Sequence, residues 1–384
     1  MKQLSVSIYA AAAAAVLLGV QTPKAFSGPA SPRANDAISA SVQKGVKWLV
    51  SVQGKDGGWG QDGGETSYVR QGERLESSGN DVANTAVAAS ALLHAGNTPT
   101  SGEYQESLRR AIDFIERHVE QSPGEGLTVT TVNGTQIQRK LGPYIDTFLT
   151  SKLLAELDGN MGSAQANARV RQNLQKCVAK IEKNQLKDGS WNVAGGWAPI
   201  LGTSMASRSL YDAKSKGVAV SAQAMDRIEM YTVNSGKNTG VGGGVGGGYA
   251  AAAPASAGVS LYKGAQELEQ LTRTDKDRAK NAKQIDGITK ELSNAQFVNG
   301  FGSIGGEEFF SYLNISDSLH RAGGPEWEKW NSGMQAKVLK LQNEDGTWAG
   351  HHCITGRVAV TSAAMLLLVA DRDVVVADTR SKKN

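Results

Sequence analysis

The chain has 384 residues, 40% hydrophobic and 20% charged, with a formal net charge of +4 and a pI near 8.8. That is ample apolar material for a large core. The mild basic excess, without a long Lys/Arg run, gives no signature of a nucleic-acid binder, and Cys177 and Cys353 alone cannot make a disulfide framework.

The N-terminus reads as an export signal, residues 1–27: Lys2, then an apolar run from Leu4 to Val20, then Ala25-Phe26-Ser27 before Gly28. Cleavage there predicts a periplasmic or extracellular protein with no stable membrane span; the alternative is a retained anchor. Residues 28–35 form a Pro/Ser/Ala linker, 36–376 a single domain, and 377–384 a flexible tail.

Amphipathic segments alternate along the domain with small, apolar ones. The outer-type segments are Asp36–Gln53, Tyr104–Glu120, Ala164–Gln185, Ser221–Val233, Asp275–Gln296 and Glu326–Gln342. The inner-type ones are Asp81–His94, Ile145–Leu157, Gly202–Ala213, Ala250–Leu261, Phe309–Arg321 and Val358–Ala370. Thr128–Val132 is a β-like run, a hairpin arm or an irregular insert, and there are no other convincing strands. The two cysteines fall in different repeats and are expected as free thiols.

A Q-x-x-D-G-x-W motif joins outer to inner segment at Gln53/Asp56/Trp59, Gln185/Asp188/Trp191 and Gln342/Asp345/Trp348, with a worn copy over 296–302. Each residue type has a conformational use. The Gln closes the last helical turn, Asp-Gly reverses the chain, and the Trp folds back so that its indole N–H finds a carbonyl. Repeated pairs about 50–60 residues apart are stacked helical units. The apolar inner segments favour a closed ring over an open solenoid.

This motif at helix joints resembles the squalene cyclase and protein prenyltransferase repeat. The resemblance implies an all-α fold, an α/α toroid of six inner and six outer helices. In such a ring the inner-helix N-termini share one rim, where dipoles favour polar or anionic groups. Rim positions Asp81, Asn84, Tyr144, Asp146, Tyr312 and Arg357, with Thr203 and Ser204, are therefore the expected ligand contacts. The ligand expected there is a polar or amphipathic small molecule, a glycan, a peptide or a lipid-linked group.

The alternative is a divergent enzyme of the terpene cyclase, prenyltransferase or polysaccharide lyase type. Its catalytic candidates are Glu307, Glu308, His351 and His352. His351 and Cys353 match the H-x-C zinc segment of prenyltransferase β-subunits, and Glu307 stands for the Asp of their D-x-C, but Phe309 replaces the Cys. Zinc is the cofactor that His351, Cys353 and Glu307 would take. The acidic D-x-D-D of the family's cyclases has no counterpart here. The glycine run 236–248 is expected as a lid or a spacer.

Overall fold

The computed structural model describes residues 32–62, 69–70, 73–74, 79–191, 198–237, 264–292, 305–351 and 353–372. The leader, the glycine run, the worn joint, the 250–261 segment and the tail lie outside them. Among the described residues the chain runs through α1 (Pro32–Ser51), a two-residue hairpin pairing Val69–Arg70 with Glu73–Arg74, α2 (Val82–His94), α3 (Gln105–Gln121), α4 (Gln136–Leu141) and α5 (Ile145–Leu157). It continues as α6 (Ala164–Lys183), α7 (Ala198–Ser215), α8 (Ala222–Lys237), α9 (264–271), α10 (Asp275–Leu292), α11 (Gly306–Ala322), α12 (Pro325–Lys340) and α13 (Arg357–Leu368).

The two kinds of segment take the two layers of an α/α toroid. In α1, Ile38, Val42, Val46 and Leu49 form one buried stripe, as an amphipathic helix facing a core on one side requires. In α2 every residue from Val82 to Leu93 is buried, because its alanines let neighbours approach on all sides. Around the inner layer α2 packs on α5, α5 on α7, α11 on α13, and α13 back on α2. Helix α9 bridges α7 and α11: Arg208 pairs with Glu269 at 2.9 Å, and Ser318 donates to the Ala265 carbonyl at 2.9 Å.

The three joints are built alike. The indole N–H groups of Trp59, Trp191 and Trp348 donate to the carbonyls of Leu49, Ile181 and Val338 at 2.7, 2.7 and 2.8 Å. Asp56, Asp188 and Asp345 each accept the backbone N–H two residues on, at 3.0–3.1 Å, which leaves the intervening glycines at φ of 95°, 91° and 88°. Each Gln side chain donates twice. One bond goes to its own turn, at Gly57, Gly189 or Gly346, and the other to the carbonyl of Ser107, Ala224 or Ser41 on the next outer helix. The motif therefore staples one repeat to the next. Because Gln342 reaches Ser41 on the first helix, the same staple closes the ring.

Thr128–Val132 forms no strand. Thr128 and Thr130 turn their hydroxyls onto nearby backbone, a local bond that competes with a ladder. The segment wraps the Lys180 ammonium, which donates to the carbonyls of Pro123, Gly126 and Thr128 at 2.5, 3.2 and 3.1 Å. Cys177 and Cys353 are free thiols.

Candidate functional site

At the N-terminal end of the inner helices, side-chain chemistry is spent on holding the ring together. Asp81 caps α2, accepting from Asn84 N at 2.9 Å and Asn84 Nδ2 at 2.8 Å. Asp146 accepts from Ala83 N at 3.1 Å and from Gln138 Nε2 at 2.8 Å. It thus ties α5 to the start of α2 and to α4. Burial lifts Asp81 to about 6 and, with Asp81 adjacent, Asp146 to about 7.

A folded-state pKa above the ordinary 3.8 means that the native protein binds these protons more tightly than the unfolded chain. Their contribution to stability is full below the ordinary value of 3.8 and is lost progressively as pH rises to the folded values of about 6 and 7. Urea unfolding at a series of pH values is expected to show stability falling between about pH 4 and 7 and levelling off above, with Asp146→Asn flattening that slope. An unchanged slope in the variant would contradict the buried protonated pair.

Helix α4 lies across this same end. Its Thr135/Gln138 capping box starts a single buried turn whose Ile137 and Leu141 face the core. Gln136 Oε1 accepts from Thr355 N at 2.9 Å and Gly356 N at 3.0 Å, while Gln136 N donates to Gln61 Oε1 at 2.6 Å. At its other end a Cβ on Gly202 of α7 would lie 2.9 Å from the Leu141 carbonyl oxygen. The segment between α3 and α5 thus spans from the first and sixth joints to the third inner helix, over the rim that the repeat pattern leaves open.

Arg357 is a clasp between those joints. Its Nε reaches Asp62 at 3.0 Å, its Nη1 reaches Asp345 at 3.1 Å, and its guanidinium lies 5.0 Å from the Trp48 ring. Thr203 accepts the Trp191 N–H at 3.2 Å, and Ser204 donates to Asn314 at 3.2 Å. Tyr144 is half-buried at the start of α5. Tyr312 donates to Glu308 at 3.2 Å and accepts from Lys337 at 2.9 Å, and burial raises the Glu308 carboxyl.

Glu307 and Cys353 do come together, with Lys140 of α4 beside them. Burial and the Glu307 carboxyl push the Cys353 thiol up to about 11, so it stays protonated at neutral pH. Cys353 is the non-glycine residue with positive φ, 63°, among the described residues. His351 is exposed, and His352 lies outside the described residues. Among the described residues no group of three or more His, Cys, Asp or Glu side chains is placed to hold a metal ion.

The inner helices α2, α5, α7, α11 and α13 line a cavity of about 300 Å³, at the small end of the ~300–1,000 Å³ typical of small-molecule sites. Its apolar wall is Val87, Phe148, Leu149, Met205, Phe310, Leu313 and Leu366. Its polar wall is Ser90, His94, Lys152, Glu156, Arg208, Asn314, Asp317 and His320, with Arg372 where the chain leaves α13. Lys152 Nζ stands 3.3 Å from Asp317 and 3.9 Å from Glu156. Arg208 reaches Asp317 at 2.7 Å and the Asn314 carbonyl at 2.8 Å.

The electrostatics keep these groups charged. Asp317 and then Glu156 raise the Lys152 ammonium above its ordinary range. Burial alone would lift Glu156 and Asp317, but His94 and Lys152 outweigh it at Glu156, and Lys152 and Arg208 at Asp317, so both carboxyls are held below their ordinary range. Nearby Asp212 is lifted to about 6 by burial.

Sequence reasoning placed its candidates at the rim and missed this cluster. A signal was present. Lys152/Glu156 and Arg208/Asp212 are charges four residues apart inside segments that are otherwise small and apolar. An inner helix tolerates such charges only where they pair or face a cavity.

Residues 24–140 match the model of the squalene-hopene cyclase C-terminal domain. No curated protein matches the sequence. Among solved structures, a type II terpene cyclase from Scytonema, in complex with its substrate geranylgeranyl dihydroxybenzoate, is similar at 11% identity over 88% of this chain and 97% of that one, with a TM-score of 0.49. The likeness to the squalene-hopene cyclase family is thus carried by residues 24–140, which include the first joint.

Proposed function

We propose that the protein binds an amphipathic small molecule in the central cavity, its apolar body against Phe148, Leu149, Met205 and Phe310 and its polar head at the Lys152–Glu156–Asp317 cluster. The observation that carries this reading is the composition of the wall: one apolar side and one ion-paired side around a single space of about 300 Å³. A hydrocarbon alone would leave the ionic side desolvated without new partners, at a cost in affinity. A fully polar ligand would forfeit the apolar side.

Binding is favoured over cyclisation started by alkene protonation. That chemistry needs a carboxylic acid holding its proton beside the ligand. Glu156 and Asp317, the carboxyls on the wall, are both held ionised by their cationic neighbours.

The test is displacement of a fluorescent apolar reporter by 1-decanol. Wild type is expected to release the reporter. Leu149→Trp, which fills the apolar side, is expected to weaken decanol binding by ~10-fold or more, since lost contacts of 1.4 kcal/mol give that factor, with the melting temperature little changed. Equal binding in the variant, or none in wild type, would remove the cavity from consideration.

A further inference from the structure

The cavity wall carries three residues in an order that suits acyl transfer. Ser90 and His94 lie one turn apart on α2, and both line the cavity. Side chains four residues apart on a helix are neighbours, with Cβ atoms ~5–6 Å apart. A long helical side chain leans toward the N-terminus, which directs the side chain of residue 94 toward the turn that carries Ser90. On its other edge, His94 Nε2 is 3.4 Å from Glu156 Oε2 of α5. The Glu156 carboxyl is held below its ordinary range, so it accepts and Nε2 donates.

Ser90, like Thr150 and Ser151 of α5, keeps its hydroxyl off the helix carbonyls. Thr85, Ser311, Ser318 and Ser362 each donate to a carbonyl of the preceding turn, the usual fate of a hydroxyl inside a helix. Among the described residues Ser90 has no such bond. Its hydroxyl is buried in a wall of the cavity rather than spent on the helix. Lys152 Nζ lies on the same wall, 3.3 Å from Asp317 and 3.9 Å from Glu156.

We propose that Ser90, His94 and Glu156 form a nucleophile, base and orienting acid that hydrolyse the ester of a medium-chain acyl ligand. Ser90 Oγ attacks the carbonyl carbon while His94 takes the hydroxyl proton. The ester C–O bond breaks, and His94 returns that proton to the departing alkoxide, which leaves as the alcohol. Water, deprotonated by His94, then releases the carboxylic acid and regenerates the serine. Lys152 stabilises the oxyanion in both steps. This inference rests on the cavity being the ligand site, and goes beyond it by adding chemistry.

The experiment uses the full chain with two probes: 1-decanol in the displacement assay, and a decyl fluorophosphonate, which forms a stable adduct only with an activated serine, mapped by mass spectrometry. The expected result is one adduct, on the peptide carrying Ser90, absent in Ser90→Ala and formed ~100-fold more slowly in His94→Gln, the scale of general-base assistance. Ser90→Ala is expected to keep the wild-type melting temperature and helical circular dichroism, which shows that it folds. Decanol binding by wild type without an adduct, or an adduct that persists in Ser90→Ala, overturns the esterase proposal and leaves the binding reading standing. Neither binding nor adduct overturns both.

Discussion

Arg208→Met is expected to destabilise the protein by about 3–5 kcal/mol, the largest effect of any charge substitution in the ring. Arg208 is buried at the meeting of α7, α9 and α11, with a side-chain exposure of 5% against 0% for Glu269. It holds Glu269 at 2.9 Å and Asp317 at 2.7 Å and donates to the Asn314 carbonyl. Removing the guanidinium takes from buried Glu269 its 2.9 Å partner and leaves it the Arg273 charge beyond ion-pair distance, and the cost is its desolvation more than the lost attraction. The double variant Arg208→Met/Glu269→Gln is therefore expected to recover part of the loss in urea unfolding. A double variant no more stable than the single one would show that the guanidinium acts through packing alone.

A comparable loss is expected from a single methyl group. Gly189 has φ of 91°, and a Cβ placed there would lie 2.0 Å from the carbonyl oxygen of Arg227 on the next outer helix. Gly159 has φ of 87° with nothing within 4 Å of its Cβ position. Gly159→Ala should then cost only the left-handed conformation, ~1–2 kcal/mol. Gly189→Ala adds a backbone collision that can be relieved only by moving α8 off the joint, and a total of ~4 kcal/mol or more is expected. Chemical denaturation of the pair measures the difference directly. Similar values would mean that the close approach of turn and helix does not hold the joint.

These two positions show what the sequence could and could not disclose. The toroid was legible because each motif residue does a job its chemistry announces: Gly reverses the chain, Asp bonds the turn, Trp needs a carbonyl, and Gln has two donors to place. The partner of that Gln was not legible. Ser107, Ala224 and Ser41 share no residue type at the contact, since they accept through backbone carbonyls. The rim residues were recognised as caps or contacts from their positions, but the segment that crosses the rim was not foreseen. Its six-residue helix α4 is too short for periodicity, and only the Thr135-x-x-Gln138 box marks it. The cavity cluster joins α2, α5, α7 and α11, so His94 and Glu156 meet across 62 positions of sequence. Only the pairs of charges within one helix left a trace.

The staple between Gln342 and Ser41 joins positions 301 residues apart. During synthesis α1 therefore emerges long before the partner that covers it. Until α12 and α13 have been made, its stripe of Ile38, Val42, Val46 and Leu49 has no last neighbour, and loop closure over such a span is slow to form. A chain cut short before the sixth joint is accordingly not a smaller ring but an arc with two sticky edges. It is prone to pair with another such arc, in which the α12 of one copy can seat the α1 of the next.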